Sequence, residues 1–591
     1  MGADISSSFD QIQLQFITGY WRVHSAINKV TNENVSLWVF DYELINSKNR
    51  PKSEVDKSIA SCIYSIQQIK KIHHPNILKI KEVNENPKKL AFSAEPINSC
   101  LLNEFNVPND EIEYIGKQLI SVLSFLHNDV GIALLGLSNK SIVLDKELTI
   151  KIWEFNFSSK IVGEYCKVFP KYGNWNPSIF LPDVNFAAPE VTLNDPITNA
   201  ADIFSFGVII ASLYMNRNLF SAFSPQEIKR ILTGEFRLTL HYASDKMCAL
   251  IRQCLNLTPE SRPTISQLDL SRPFNTIPIK VYQYISGMLT KTPADKFNFY
   301  RSLNNSLNLF SKRTLKNKFL PIFMDETLKD NRYGPVTIPL IFQIGSLYEK
   351  NEFYTKILVP LNNLLTIRNP PEMMVSVFTT LDILIDRISP EKHYEIIYPI
   401  FSSALKSNEP KLQICAIGFL PKILKTLSPT VIKEDVIPKL TDFISDSDSE
   451  EIVAYSILTL SECLLKIDPE LFTEITLPKL VPLWERLHSN TIASAIISII
   501  EKLEIDSNLA LQYAIPLASQ MLLTPQYLTL QLQAKLVSFT QNIFTNLITE
   551  RKLDKKPKAQ ILKQIDKPKP ISRKSQASTT KKDGPSQDFW E

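Results

Sequence analysis

The 591-residue sequence predicts a multidomain chain of mixed class: an α+β bilobal domain, then an all-α solenoid, then a disordered tail. Three observations carry that expectation. Between Leu126 and Arg262 a series of short motifs stands in a fixed order. From Pro321 to Pro516, prolines recur at intervals of 39, 39, 39, 40 and 38 residues, and past Leu547 the apolar periodicity stops. Length alone calls for more than one large domain, and an apolar content of 44% can build the cores.

The motif series has the layout of a protein kinase. Leu126-His127, Leu134-Leu135-Gly136-Leu137, Ser141-Ile142-Val143-Leu144 and Lys151-Ile152-Trp153-Glu154-Phe155-Asn156 stand in the places of LH, H-R-D-L, N-I-L-L and K-x-x-D-F-G. Phosphoryl transfer is mostly positioning and charge stabilisation. It uses a base Asp in the catalytic loop, an Asn and an Asp on Mg²⁺, and a strand Lys paired to a helix Glu. Those residue types are missing. Gly136 stands in the place of the base Asp, Ser141 in that of the Asn, and Glu154 in that of the metal Asp. Val35-Ser36-Leu37-Trp38 reads as V-A-I-K with Trp38 in place of the Lys, and counting back from His74-Pro75-Asn76 puts Ser65 at the helix Glu position. Upstream, Ile17-Thr18-Gly19-Tyr20-Trp21-Arg22-Val23 fills the Gly-rich loop with one glycine, and Trp21 is expected to crowd the phosphates. The expectation is no catalytic residue, no metal ligand set and no nucleotide cofactor.

The motifs with structural rather than chemical duties are intact. Ala188-Pro189-Glu190 is the A-P-E that closes an activation segment, and Asp202-Ile203-Phe204-Ser205-Phe206-Gly207 is the helix that props the catalytic loop. Arg262 stands where its guanidinium would pair with Glu190, a buried pair whose disruption costs about 3–5 kcal/mol. Three motifs in order at kinase spacing separate this layout from a chance match.

Composition excludes several classes. Seven scattered cysteines without a C-x-x-C point to reduced structural thiols in the cytosol rather than a disulfide frame or a zinc site. The seven histidines form no metal spacing, and no apolar run approaches the roughly 18–20 residues of a membrane span. The start of the chain lacks the charged and apolar regions of a signal peptide. A soluble intracellular protein is expected.

Pro321, Pro360, Pro399, Pro438, Pro478 and Pro516 mark repeats whose period near 40, without strand or turn signature, is that of HEAT-type helical pairs. Apolar residues precede nearly every one. Leu412, Cys415, Ala416, Phe419, Leu420, Ile423, Leu424 and Leu427 fall at i, i+3, i+4, i+7 spacing, one apolar helix face that stacking of pairs would bury. Each proline either starts a helix or kinks one. The acidic loop Ser445 to Glu451 reads as helix capping before Ile452, with phosphorylation or docking as the other use. About six helical pairs are expected.

Residues 551 to 591 hold twelve Lys or Arg against five Asp or Glu, so the net +4 of the chain is a property of its tail. With its prolines and Ser/Thr cluster, that tail is expected to be disordered. Attraction to an anionic membrane surface is one reading of it; nucleic acid is not expected as a partner, because no aromatics interleave with the lysines. Asp588, Phe589 and Trp590 form an aromatic anchor for a partner's pocket, and Leu562 to Asp566 is a loose clathrin-box match interrupted by Lys563. At the other end, Gly2 in Met1-Gly2-Ala3-Asp4-Ile5-Ser6 fits the myristoylation pattern. The domains are therefore a 1–9 arm, a 10–275 pseudokinase domain, a 276–548 solenoid and a 549–591 basic tail. The oligomeric state is left open.

The whole arrangement resembles the Scy-like pseudokinases, which join a degenerate kinase domain to HEAT repeats and a flexible tail. Val35 to Asp41 looks like the family's strand with a bulky residue at the lysine place. Trp175-Asn176-Pro177, Leu181-Pro182 and Ala188-Pro189-Glu190 are similar to the activation segment of the clathrin-coated-vesicle branch. The resemblance implies a catalytically inactive scaffold in vesicle-mediated traffic, cytoplasmic and peripherally held on Golgi, endosomal or vesicle membranes. Its partners would be coat or adaptor proteins such as clathrin adaptor complexes, met through solenoid and tail. A non-vesicular helical scaffold, for instance in tRNA handling, and a residual atypical kinase are the alternatives.

Overall fold

A computed structural model describes residues 8–45, 51–86, 88–104, 106–167, 182–193, 196–234, 238, 240, 242–464, 466–503 and 505–553. The chain forms two compact units, Met1–Ala404 and Leu405–Glu591.

The first unit begins with an antiparallel sheet of five strands, β1 (Phe9–Thr18), β2 (Trp21–Asn28), β3 (Asn34–Asp41), β4 (Ile80–Glu85) and β5 (Lys89–Ala94), in the order β1-β2-β3-β5-β4. Gly19 makes the β1–β2 turn possible, at φ +57°. Between β3 and β4 runs α1 (Lys52–Lys71), which buries Val55, Ser58, Cys62, Ser65, Ile66 and Ile69 at helical spacing; Val55, Cys62 and Ile66 share a cluster with the sheet residues Trp38, Phe40 and Phe92. A helical lobe follows, built on α2 (Asn109–Ser124) and α3 (Ala200–Met215). α3 is apolar around most of its circumference and is accordingly buried along nearly its whole length. This is the layout of a kinase-like domain with a sheet lobe, and a helix-rich region succeeds it.

Packing in this unit does not stop at residue 275, where the sequence suggested a domain edge. Helix α4 (Ile277–Ser286) lies on α2, with the Tyr282 ring stacked on Tyr114 at 4.0 Å. One Asp110 carboxylate oxygen accepts from the Tyr282 hydroxyl at 2.9 Å and from the Ser311 N–H at 3.0 Å. Glu111 accepts from the Ser311 hydroxyl at 2.7 Å, and Arg313 bridges Glu104 and Glu111. The first helices of the repeat region are thereby bolted to α2 through partly buried polar groups. Apolar periodicity carries no trace of that junction, and the first compact unit runs on to Ala404.

The repeat prolines neither start nor end the helical path. Five of them follow a widened π turn: Leu315–Phe319, Tyr354–Leu358, His393–Ile397, Ile432–Val436 and Ala510–Ala514. Proline has no N–H and its ring collides with the carbonyl four residues back. A turn closed by i→i+5 bonds removes the demand for that N–H and makes room for the ring. Pro478 differs, lying inside the single helix Pro469–Arg486. An apolar residue one or two places before each proline is buried: Phe319, Leu358, Ile397, Val436, Leu477 and Ala514.

Two local expectations in the second unit need correction. The run from Leu412 to Leu427 is not one helix but two, Pro410–Phe419 and Pro421–Leu424, because Pro421 interrupts it. Its apolar row still turns inward, with Leu412, Ala416, Leu420, Ile423, Leu424 and Leu427 buried. Before the helix Glu450–Cys463, Ser449 makes no side-chain cap, although the Ser447 hydroxyl accepts the Ser449 N–H at 3.2 Å. Glu450 and Glu451 sit in the first turn instead, where carboxylates favour the positive end of the helix dipole. All seven cysteines are free thiols, five of them buried.

Candidate functional site

In the place where a kinase holds ATP, the fold has assembled aromatic rings. Trp38 projects from β3 and is fully buried, stacked on Phe92 of β5 at 5.4 Å and tilted against Trp153 at 4.8 Å. Trp21 joins it, 5.3 Å from Phe40, 5.2 Å from Phe92 and 6.0 Å from Trp153. Trp21 therefore belongs to the packed cluster as well as bordering the cleft, where the sequence alone suggested only steric crowding of phosphates. Pairs of this kind add about 0.5–1.5 kcal/mol each beyond the area they bury. The indole N–H groups are satisfied, Trp38 to the Ser36 hydroxyl at 3.1 Å and Trp153 to the Lys140 carbonyl at 2.8 Å.

That Lys140 carbonyl also accepts from the Thr18 hydroxyl at 2.9 Å, so the end of β1 is tied directly to the loop beneath it. The helix Glu position is likewise put to structural use. Ser65 of α1 accepts the backbone N–H of Phe155 at 2.8 Å, and Phe155 is buried. A neutral bond thus holds α1 against the Glu154-Phe155-Asn156 segment where a kinase uses a Lys–Glu pair.

The loop positions are put to structural use in a different way. A Cβ on Gly136 would lie 2.4 Å from the Phe157 ring, so no larger residue fits unless that ring moves. Ser141 spends its hydroxyl on its own loop, donating to the Ser138 carbonyl at 2.8 Å and accepting the Ser138 N–H at 2.9 Å. Leu135 is held at φ +57°, a left-handed conformation that costs a non-glycine residue about 1–2 kcal/mol. Asp202 of α3 offsets that strain: its carboxylate accepts the N–H groups of Leu134 and Leu135, both at 2.8 Å, and faces His127 Nε2 at 2.9 Å. Further down, Arg262 grips Glu190 with two bonds of 2.5 and 2.9 Å. It also donates to the carbonyls of Asn256 and Ala200, with its guanidinium over the Phe204 ring.

What remains of the cleft is a cavity of about 340 Å³ bordered by Gly19, Tyr20, Gly136, Lys140, Glu154 and Asp183. Lys140 is paired to Asp183 at 2.8 Å. Burial pushes the Glu154 carboxyl up to about 7, with Asp183 adding to the rise and Lys140 and the 2.9 Å bond from Asn156 opposing it. Burial thus favours the protonated form of a carboxyl that stands in the place of a metal ligand. The carboxyl binds a proton more readily folded than unfolded, so its contribution to stability is present below about 4.5 and fades as pH rises through 7. Glu154→Gln should therefore flatten the fall of melting temperature between pH 5 and 8, measured on wild type and variant side by side. Parallel curves would show that Glu154 does not titrate there.

Sequence reasoning missed Trp153, Phe92, Phe157, Lys140, Asp183 and Thr18. Trp153 beside Glu154 was the one available signal, since an indole next to the metal position has no use in phosphate chemistry. Gly2, Trp175-Asn176-Pro177, Leu181, the 562–566 segment, and Asp588, Phe589 and Trp590 lie outside the described residues. Among the described residues no helix is long and apolar enough to cross a membrane.

Comparison with known proteins agrees with this geometry. A protein kinase domain model matches residues 19–274. SCY1-like protein 2 of Homo sapiens is 24% identical over 490 residues, 78% of this chain and 52% of the relative. Protein kinase domain-containing protein ppk32 of Schizosaccharomyces pombe is 23% identical over 458 residues, 71% of this chain and 61% of the relative. Protein kinase-like protein SCY1 of Saccharomyces cerevisiae is 24% identical over 494 residues, covering 73% and 60%. The matches thus span about half to three fifths of these relatives, and they run well past the kinase domain into the helical repeats. With that domain, that helical region and these relatives together, the chain is a homologue of the SCY1-like proteins.

Proposed function

We propose that this chain is a catalytically inactive, kinase-like scaffold in vesicle-mediated membrane traffic, with coat or adaptor proteins of the clathrin system as partners on Golgi and endosomal membranes. The observation that carries the inactive part is Trp38, fully buried among Trp21, Phe92 and Trp153 in the place of the phosphate lysine. A base is absent at Gly136, a metal Asp at Glu154 and a helix carboxylate at Ser65. Supporting the scaffold part are the similarity to SCY1-like proteins and the packed helices within each compact unit, whose surfaces suit binding rather than turnover. On this reading Gly2 and the basic residues from Arg551 onward give reversible membrane contact, since one acyl chain alone is marginal. Asp588, Phe589 and Trp590 then select the coat.

Affinity capture of the full chain from cytosol, followed by mass spectrometry, tests the proposal. Coat and adaptor subunits are expected, and their capture should fall when Phe589→Ala and Trp590→Ala are combined. Enrichment of tRNA-associated proteins with no coat component would replace this reading with that of a non-vesicular scaffold.

A further inference from the structure

The acidic run from Ser445 to Glu451 holds three serines, and the fold treats them differently. Ser447 and Ser449 are half-buried in the link between the helices Ile437–Asp446 and Glu450–Cys463, and Ser447 spends its hydroxyl on the Ser449 N–H. Ser445 is exposed in the last turn of the first of these helices, where the Lys479 ammonium donates to its hydroxyl at 3.4 Å. That is a long contact between a cation and a neutral oxygen. Among the described residues Lys479 makes no ion pair. Two helical turns on, Arg486 donates to the Ile444 carbonyl at 2.7 Å and lies 3.8 Å from Asp448. Both cations belong to one face of the helix Pro469–Arg486, so one stands on Ser445 and the other is anchored on the residue before it. A hydroxyl gives two cations little to hold.

The sequence that follows Ser445 carries the complementary signal. Asp446, Asp448, Glu450 and Glu451 stand at +1, +3, +5 and +6 from it. Carboxylates in those places are what an acidophilic serine kinase recognises with a basic substrate groove. A protein kinase takes its substrate extended, and the link is already so, with Ser447 at ψ 135° and Ser449 at ψ 116°. Only the last turn of the helix Ile437–Asp446 has to fray, and helix ends open most easily.

We infer that Ser445 is a phosphorylation site for a separate acidophilic protein kinase, and that Lys479 and Arg486 receive the phosphate, fastening the helix Ile437–Asp446 to the helix Pro469–Arg486. In the transfer, Ser445 Oγ bonds to the γ-phosphorus of ATP and the bond to the β–γ bridging oxygen breaks. ADP leaves, and the hydroxyl proton passes to the base of that kinase. The product carries about −1.5 to −2 charges near neutral pH and three acceptor oxygens. Alone, a phosphate at a helix C-terminus opposes the dipole and loosens the last turn, and Asp446 and Asp448 add repulsion. Charge-assisted bonds from the two cations reverse that balance. The carboxylates guide the enzyme, and the cations hold its product.

The full chain treated with an acidophilic serine kinase and ATP, with the phosphopeptides mapped by mass spectrometry, is the first test. Phosphate is expected on Ser445, absent from Ser445→Ala and slower to appear in Asp448→Asn. By phosphorus NMR its second pKa should lie below the value of about 6 of a free phosphoserine. Calorimetry should show the unfolding midpoint of the second unit raised by about 2–4 °C, the shift that one charge-assisted bond gives a domain of this size. Lys479→Ala with Arg486→Ala, in a chain shown to be folded by circular dichroism, should return that pKa to about 6 and turn the rise on phosphorylation into a fall. A segment that takes no phosphate, or takes it only on Ser447 or Ser449, overturns the inference. So does a Ser445 phosphate whose pKa and melting are indifferent to the loss of both cations.

Discussion

Arg262→Ala is expected to lower the unfolding free energy of the first compact unit by about 3–5 kcal/mol, because it leaves the buried Glu190 carboxylate without its partner. The loss has more than one component. Besides its two bonds to Glu190, the guanidinium donates to the carbonyls of Asn256 and Ala200, and both would be left without that donor. Arg262→Lys should recover only part of the loss, since an ammonium cannot form the planar two-bond pair. Urea unfolding followed by fluorescence is the measurement; a shift under about 1 kcal/mol would mean that the pair contributes little to holding the helical lobe.

The second large effect concerns the cleft. Restoring the kinase lysine by Trp38→Lys is expected to destabilise the sheet lobe rather than revive it. Removing a buried indole of this size costs about 3–5 kcal/mol, and the new ammonium would enter a cluster of apolar rings, Trp21, Phe92 and Trp153. Ser65 supplies only a hydroxyl, and that hydroxyl is already committed to the Phe155 N–H. Adding Ser65→Glu would remove that bond and crowd a buried site, so the pair of changes should not rescue folding. Trp38→Phe, which keeps a ring against Phe92 and Trp153, should stay folded. A Trp38→Lys chain that melts like wild type would contradict the view that the cluster holds the lobe.

Much of this was legible in the residues, for identifiable reasons. Motifs that bury an ion pair or a helix, such as Glu190, Arg262 and the Asp202 segment, carry their spacing with them, and the period of the prolines exposes the repeats. The residue types at Trp38, Gly136 and Ser141 could be read directly. What the fold builds around them could not. The stacking of Trp21, Phe92 and Trp153 joins residues from three distant segments, and the Thr18 bond to Lys140 crosses 122 positions. The tie from Asp110 and Glu111 to Tyr282 and Ser311 is built from polar residues that look like ordinary surface, so nothing in the apolar periodicity announces that the helices after residue 275 are fastened to α2. The π turns ahead of the prolines escaped as well, since a widened turn leaves the apolar spacing almost unchanged.

The central claim is that aromatic packing around Trp38, with the Thr18 and Ser65 bonds, has left a cleft that does not hold Mg-ATP. Thermal unfolding of the full chain with and without millimolar Mg-ATP tests it most directly. The account predicts superimposable curves. A rise of several degrees, equivalent to at least about 1 kcal/mol of binding linkage, would contradict it and show a cleft that still opens to nucleotide.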